Sequence, residues 1–403
     1  MSPQSSNAAA IASALWDTAD FSGAESYYRR AIEENPADME ALHGLGRLKL
    51  AHNELAAALV LLEQAHALSM NLAGGGRDEL SLTVRRDLAS ALYRLERFDL
   101  AAEHYEQLPG QAPLAAQLRA FGNAQPYHIS SSIEEIALPF LGTDPLPIVT
   151  LVVGGKEHAF VLDTGSGQLV LDTGIARQMG LPSYGTREAI FASGQRAPIE
   201  HTILPAVTLG EATIENVPAE VMDVRRFAPQ LSGFIGTSFL WRFHALYDWE
   251  GEVLRLRPRR GGQPFAQVAD EGMAEVPFWL FDTHLLLARA RLNGHETVAY
   301  VASGMAGGAF TAPQTTVRQA NLLASDETIE GVGAAGATEI VPVSAERLCL
   351  GDWCRADQEG FANFFPAELE WRYGFRVGAL VSHAFLHSRR WIVDFERMRF
   401  YFD

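Results

Sequence analysis

The sequence predicts an α+β multidomain chain in which a stack of α-helical repeats is followed by two tandem all-β lobes. Three observations predict it. An Ala-, Leu- and Glu-rich pattern at helical spacing fills residues 1–110, short Val, Ile and Leu runs separated by Gly, Pro and Asn follow it, and one set of β-region motifs occurs twice. We therefore expect helical repeats over 1–110, a linker over 111–129, a first β lobe over 130–260 and a second over 270–403.

Composition and charge exclude several classes of protein. The 403 residues include 32 Lys and Arg against 49 Asp and Glu, a formal net charge of −17, whereas a nucleic-acid-binding surface needs clustered Lys and Arg. No uninterrupted apolar run reaches the ~18 residues of a membrane-spanning helix. The apolar stretch Ala8–Leu15 follows no Lys or Arg and belongs to a helical repeat, so it is a poor signal peptide. The sequence as given therefore predicts a cytoplasmic protein, or a periplasmic one if an export leader has been removed.

The helical region contains three copies of one pattern. An alanine of the second helix of each copy recurs at Ala24, Ala58 and Ala101, and the longer second interval contains the glycine-rich loop Asn71–Glu79. Small residues at fixed positions let paired helices approach closely, and about three repeats make a stable stack. This region resembles tetratricopeptide repeats. The resemblance implies either a groove for a peptide or a partner protein, or a spacer or dimerisation element.

The β region contains a second, longer internal repeat. An apolar strand followed by Asp163-Thr164-Gly165 returns as an apolar strand followed by Ala302-Ser303-Gly304. Further matching positions are Leu209-Gly210 with Leu350-Gly351, Phe239-Leu240 with Phe385-Leu386, and Asp248 with Asp394. The two β lobes are therefore expected to be copies of one unit.

The first lobe carries the residues that point to chemistry. Asp163-Thr164-Gly165 and the next residue, Ser166, lie between two apolar strands, so a carboxylate is presented on a tight loop, where burying a charge is costly unless it is used or paired. Downstream, Ile235-Gly236 is an apolar pair whose glycine lets one backbone segment pass close to another. Between them, segment Ala189–Ile199 has Ser193-Gly194-Gln195 as its turn and is long enough to form a flap over a groove.

Residues Ser130–Pro258 resemble bacterial retropepsin-like aspartic proteases. Asp163-Thr164-Gly165 matches the catalytic loop of that family, and Ile235-Gly236 matches the apolar-Gly element that supports the loop. The resemblance implies that Asp163 activates water, that the Thr164 hydroxyl locks two paired loops and that Gly165 allows the tight turn. It further implies a peptide or protein substrate contacted by Ser166 and the flap turn, and it requires neither a cofactor nor a metal.

The second lobe lacks the carboxylate that this chemistry needs. Two aspartates must share one proton, because like charges in contact cannot both ionise. Here Ala302 stands in place of the partner aspartate, while the hydroxyl of Ser303 and the turn glycine Gly304 are kept. Three arrangements remain. The leading hypothesis is an aspartic endopeptidase in which Asp163 of two chains pair in a homodimer. Alternatively, Asp163 faces Ala302 in one chain and the protein binds peptides or acts as a scaffold without cleaving them, or Asp163 works with another acid.

Other motifs in the chain are predicted to be structural. The second Asp-Thr-Gly, Asp172-Thr173-Gly174, precedes a short helix, so Asp172 is expected to cap it. The Gly-rich string 331–336 matches a dinucleotide fingerprint but follows a polar segment, and it occupies the flap position of the second lobe. His383 and His387 are four apart, but the sequence suggests no third ligand and so no metal site.

Cys349 and Cys354 are the two cysteines of the chain, and they flank a predicted hairpin turn. They would lie opposite each other across that hairpin. A cross-strand disulfide in an oxidising compartment and a pair of half-buried thiols both remain open.

Overall fold

The computed structural model describes residues 7–71, 78–130, 133–269, 272–333 and 336–403. Most of the glycine-rich loop expected between the second and third helical repeats, residues 72–77, lies outside the described residues. The chain divides into two units. Unit 1 comprises Met1–Gly122, Leu280–Thr283 and Trp371–Arg376, and unit 2 comprises Asn123–Trp279, His284–Glu370 and Val377–Asp403.

Unit 1 is built from helices whose apolar faces pack together. The helices are α1 Asn7–Asp17, α2 Phe21–Glu34, α3 Met39–Ala51, α4 Leu55–Met70, α5 Glu79–Arg94, α6 Phe98–Glu106 and α7 Ala112–Arg119. Asp20, Asp38 and Asp78 cap α2, α3 and α5 by accepting a hydrogen bond from a backbone N–H in the first turn. No helix among the described residues is long and apolar enough to cross a membrane. The segment expected to be a linker, residues 111–129, contains α7 and the first strand.

Unit 2 is a β structure with short helices. The elements of its N-terminal half are β1 His128–Ile129, β2 Ile136–Gly142, β3 Ile148–Val153, β4 Lys156–Leu162, β5 Leu169–Asp172, α8 Thr173–Met179, β6 Thr186–Ile190, β7 Arg196–Leu209, β8 Ala212–Met222, β9 Gly233–Ile235, α9 Thr237–Leu240, β10 Phe243–Asp248 and β11 Val253–Pro258. After α10 Ala266–Ala269, the elements of the C-terminal half are β12 Ala274–Phe281, β13 Leu285–Leu292, β14 His295–Ala302, β15 Phe310–Ala312, α11 Gln314–Gln319, β16 Leu323–Ala324, β17 Ile329–Gly333, β18 Gly336–Leu350, β19 Trp353–Ala362, α12 Ala367–Glu370, β20 Val377–Ser382, α13 His383–Leu386, β21 Arg390–Asp394 and β22 Arg399–Phe402.

The strand pairings of the N-terminal half recur in the C-terminal half. In the first, β3 is antiparallel to β4, β4 is parallel to β9, and β5 is parallel to β8. In the second, β13 is antiparallel to β14, β14 is parallel to β20, and β15 is parallel to β19. The carboxyl ends of β4 and β14, where the two Gly-containing triplets begin, therefore occupy matching points of the two halves.

A six-stranded antiparallel sheet joins the two halves, in the order β2, β11, β10, β21, β22 and β12. At its centre, β10 and β21 pair from Ala245 opposite Val393 to Asp248 opposite Arg390. Leu246, Ile392 and Tyr401 pack in one buried cluster with Phe265 and Met273. This shared sheet fixes the two halves to each other within one chain.

Candidate active site

Asp163 lies at the end of a buried strand that delivers it to a tight loop. Phe160, Val161 and Leu162 of β4 are fully buried, and the Asp163 N–H donates to Ile235 O of β9 at 3.0 Å. The carboxylate accepts a hydrogen bond from the Gly165 N–H at 2.9 Å. Burial raises the pKa of Asp163, while hydrogen bonds from the backbone N–H groups of Gly165, Gly304 and Ser166 act in the lowering direction.

Reciprocal hydrogen bonds lock the Asp163 loop to its counterpart in the C-terminal half. The Thr164 N–H donates to Ser303 Oγ at 3.1 Å, and the Ser303 N–H donates to Thr164 Oγ1 at 3.0 Å. Each hydroxyl then donates across to the other loop, Thr164 to Val301 O at 2.9 Å and Ser303 to Leu162 O at 2.7 Å. Thr164 and Ser303 are both almost completely buried. These four bonds bring the two loops together within one chain.

Ala302 and Gly304 of the other half lie against Asp163 and Gly165. A Cβ built on Gly304 would collide with the Asp163 carboxyl, and one built on Gly165 would lie 2.8 Å from Ala302 Cβ. The pKa of Asp163 is set by its burial and by the three backbone N–H groups. None of these groups, in the part of the chain that the structure describes, is a second carboxylate. Among the described residues, the Asp163 loop therefore faces the methyl group of Ala302 and the backbone of Gly304 instead of a second acid.

The predicted supporting element Ile235-Gly236 lies directly behind the loop. A Cβ on Gly236 would collide with Gln168 O and lie 2.6 Å from Gly167 O, so the close approach of the two backbones requires glycine there. The next residue, Thr237, donates its hydroxyl to Thr164 O at 2.8 Å and is completely buried. Sequence reasoning missed Thr237. Its position directly after Gly236, at the start of α9, was the signal that it would reach the loop.

The turn predicted for the flap lies between β6 and β7 and contacts a hairpin of the C-terminal half. Gln195 Nε2 donates to Ala337 O at 2.7 Å, and Ser193 Cβ would lie 3.0 Å from a Cβ on Gly333. Gly194 has a φ of +77° and faces Pro366. Among the described residues, these contacts lead to the β17–β18 hairpin and to Pro366. In the part of the chain that the structure describes, no hydrogen bond joins this turn to the Asp163 carboxylate.

Other candidates from the sequence have structural surroundings. Asp172 caps α8 by accepting from the Gly174 N–H at 2.9 Å, which confirms the predicted cap. The ring of His383 bonds to Thr143 O at 2.5 Å and packs 5.1 Å from the Trp249 ring, and no group of three metal-ligating residues occurs among the described residues. Of the string 331–336, residues 331–333 and 336 belong to the β17–β18 hairpin, and residues 334 and 335 lie outside the described part.

Cys349 and Cys354 form a disulfide between opposite positions of β18 and β19. The expected cross-hairpin placement of the two cysteines is thereby confirmed. Of the two states that the sequence left open, the structure contains the bonded one.

Comparison with known proteins matches part of the N-terminal half of unit 2 to a protein family. Residues 149–239 match the family model described as aspartyl protease, and this stretch contains both Asp163-Thr164-Gly165 and Ile235-Gly236. The match supports aspartic protease activity in general for this part of the chain. Among solved structures, the crystal structure of a retropepsin-like aspartic protease from Rickettsia conorii aligns at 20% identity and a TM-score of 0.23, over 33% of this chain and 96% of that one. A comparison with curated proteins finds no match.

Proposed function

We propose that the two halves of unit 2 are copies of one aspartic-protease-type lobe that close on each other within one chain, and that the cleft between them binds an extended peptide without hydrolysing it. The observation that carries this proposal is the set of reciprocal hydrogen bonds between Thr164 and Ser303, which holds Asp163 beside Ala302. The recurrence of strand pairings in the two halves supports the same arrangement.

Hydrolysis in this arrangement lacks one of its two acids. An aspartic protease uses one carboxylate as a base towards water and the other as an acid towards the carbonyl. A positioned general acid or base contributes about 10²- to 10⁴-fold to a rate. With Ala302 in place of the second aspartate, Asp163 has no carboxyl among the described residues with which to share a proton. The contacts to the backbone of a bound peptide in this proposal are Ser166 and the flap turn Ser193-Gly194-Gln195, and Gln195 would exchange its hydrogen bond to Ala337 O for one to the peptide.

A fluorescent peptide library tests the proposed function directly. We expect the wild-type protein to bind members of the library between pH 3 and 8 and to leave them intact, and Asp163→Asn to bind the same members. Mass spectrometry of the recovered peptides measures cleavage, and anisotropy measures binding. Cleavage by the wild-type protein that disappears in Asp163→Asn would overturn the proposal.

A second candidate is the endopeptidase in which Asp163 of two chains form the acid pair of a homodimer. The intact Asp163-Thr164-Gly165 triplet and the aspartyl protease match over residues 149–239 favour it. In this arrangement the rate per chain rises with protein concentration. Mixing in an excess of Asp163→Asn chains would lower the rate further than dilution alone, because mixed dimers carry one aspartate.

We also infer that α1–α6 form three tetratricopeptide-like helix pairs. Ala24, Ala58 and Ala101 are completely buried, as close helix packing requires.

A further inference from the structure

Three basic side chains from successive helices of unit 1 lie close together. The ring of His66 on α4 and the ring of His104 on α6 meet edge to face, with their centroids 5.1 Å apart. Met70 follows His66 by one turn on the same face of α4, and its sulfur lies 3.2 Å from a guanidinium nitrogen of Arg85 on α5. The charge of Arg85 acts on both imidazoles. We call His66, Arg85 and His104 the basic cluster.

The basic cluster offers hydrogen-bond donors that have no good acceptor. The Nδ1 atom of His66 and the Nε atom of Arg85 are buried and have no hydrogen-bond partner among the described residues. The Arg85 guanidinium donates to the Met70 sulfur, which is a weak acceptor. Leaving a buried donor unpaired is costly, and the cost is greater for a charged group. A molecule that fits the cluster must therefore supply acceptor atoms.

The charges around the basic cluster favour an anion over a cation. Burial and then the charge of Arg85 lower the pKa of His66, and burial, His66 and Arg85 together lower the pKa of His104 to about 4. In the part of the chain that the structure describes, no carboxylate acts on either ring, although the net charge of the whole chain is −17. A bound metal cation would add to the repulsion among these groups, whereas an anion would relieve it.

The helix ends beside the basic cluster have partners for the carbonyls of its two histidines. His104 lies in the last turn of α6 and His66 lies one turn before the end of α4, where unpaired carbonyls would repel an anion. The carbonyl of His66 accepts from the Ser69 hydroxyl at 2.8 Å, and that of His104 accepts from the Gln107 N–H at 3.2 Å. These bonds reduce the negative potential that the helix ends direct at the cluster.

The basic cluster can be reached from solvent beside Met70. The Met70 side chain is 44% exposed, and its contact with Arg85 lies at the surface of α4 and α5. An incoming oxygen ligand would displace only a thioether from the guanidinium, and the guanidinium could then form a bidentate pair with it.

We propose that His66, Arg85 and His104 form a binding site for a small tetrahedral oxyanion of the phosphate class. Arg85 supplies a permanent positive charge, and each imidazole adds another when it takes up a proton. A phosphate group, with a charge of about −1.5 to −2 at pH 7, matches such a cluster. The same chemistry would bind free phosphate or a phosphate ester. The site lies within unit 1 and does not depend on the proposed function of unit 2.

Titration of the full-length protein with sodium sulfate, followed by NMR of the imidazole nitrogens, tests the proposal. Sulfate keeps its charge between pH 7 and 5, so a change in its affinity over this range reports protons taken up by the protein. We expect the signals of His66 and His104, assigned with His66→Gln and His104→Gln, to move towards the protonated form when sulfate binds. Because bound sulfate raises the pKa of these rings, its affinity should rise about three- to tenfold per pH unit as the pH falls. Sodium chloride at equal ionic strength is the control for screening.

A pair of neighbouring arginines provides matched variants. Arg85→Gln removes the guanidinium of the basic cluster and should weaken sulfate binding about tenfold or more. Arg86→Gln removes the same charge from the next, exposed position of α5 and should change the affinity less than about twofold. Inorganic phosphate and phosphoserine, titrated in the same way at pH 7, distinguish free phosphate from a phosphate ester as the preferred ligand.

Three results would overturn the proposal. The first is equal sulfate affinity of Arg85→Gln and Arg86→Gln. The second is found in the wild-type protein, and so holds even if Arg85→Gln fails to fold: sulfate moves the signals of His66 and His104 no further than chloride does. The third is tighter binding of Zn²⁺ than of sulfate at these two rings at pH 7, which would assign a metal site instead.

Discussion

Replacement of Ala302 by aspartate should create a pair of facing carboxyls at the Asp163 loop. Ala302 ends β14, is 7% exposed, and has its Cβ 2.8 Å from the position of a Cβ on Gly165. The residues that follow it, Ser303 and Gly304, already have the places that Thr164 and Gly165 have after Asp163. The introduced carboxylate would therefore face the Asp163 loop with Gly304 in the turn behind it.

The expected gain in the cleavage rate of Ala302→Asp follows from proton sharing between the two carboxyls. Two carboxyls this close cannot both ionise, so one of them stays protonated and serves as the acid while the other serves as the base. We expect Ala302→Asp to cleave bound peptides about 10²- to 10⁴-fold faster than the wild-type protein, which corresponds to roughly 2.7–5.5 kcal/mol of barrier. Burial already raises the pKa of Asp163, and the second carboxyl raises the pKa of the pair further. The variant should thus lose stability as pH rises through that raised pKa, and the loss should disappear in acid.

The assay measures the cleavage rate of quenched-fluorescence peptides from pH 3 to 8. These peptides are chosen from those that the wild-type protein binds. Ala302→Asn is the control of matched size, and it should remain inactive because an amide cannot share a proton. Adding Asp163→Asn to the Ala302→Asp variant should abolish the gain. The reasoning is refuted if Ala302→Asp binds the peptides, retains the wild-type fold by circular dichroism, and still cleaves no faster than Ala302→Asn.

Two further predictions concern stability. Ser303→Ala removes one buried hydroxyl and two hydrogen bonds between the loops, so we expect a loss of about 2–4 kcal/mol in the free energy of unfolding by urea. The control Ser26→Ala changes an exposed serine and should cost less than about 0.5 kcal/mol. Equal costs for the two variants would contradict the role of Ser303 in locking the loops. Burial lowers the pKa of both His201 and His383 to about 4. Because these imidazoles stay neutral in the folded state and protonate in the unfolded state below about 6.5, each should remove about 1.4 kcal/mol of stability per pH unit between pH 6.5 and 4. An unfolding midpoint that stays constant over that window would contradict this.

Local signals in the sequence predicted the elements well. The spacing of Ala24, Ala58 and Ala101 placed the helices, and the residues around Asp172 predicted a capped helix, because both depend on interactions within one or two turns. The helix α7 in the expected linker was missed although Pro113 lies in its first turn, a position that proline favours at a helix start. With eight residues, it is too short to show a clear hydrophobic period.

The site was predicted in its parts and less well in its assembly. The loop Asp163-Thr164-Gly165 follows from one apolar strand and one turn. Contacts between Gln195 and Ala337 join hairpins 142 residues apart, and such pairing depends on how the two halves close. Whether Asp163 meets Ala302 or a second Asp163 is likewise a question of long-range packing, and no local pattern in the sequence addresses it.

The contacts between the two loops explain why Ala302 is followed by the hydroxyl residue Ser303 and by Gly304. Ser303 takes part in three hydrogen bonds that hold the loops, and Gly304 leaves the space in which the Asp163 carboxyl lies. Both are therefore required for the fold around Asp163 whether or not a peptide is ever cut. A carboxyl at 302 would instead lower the stability at neutral pH, because one of the two facing carboxyls would have to keep a proton that it loses in the unfolded chain. The fold of the two loops thus requires the hydroxyl of Ser303 and the absence of a side chain at Gly304, whereas only catalysis would require an acid at position 302.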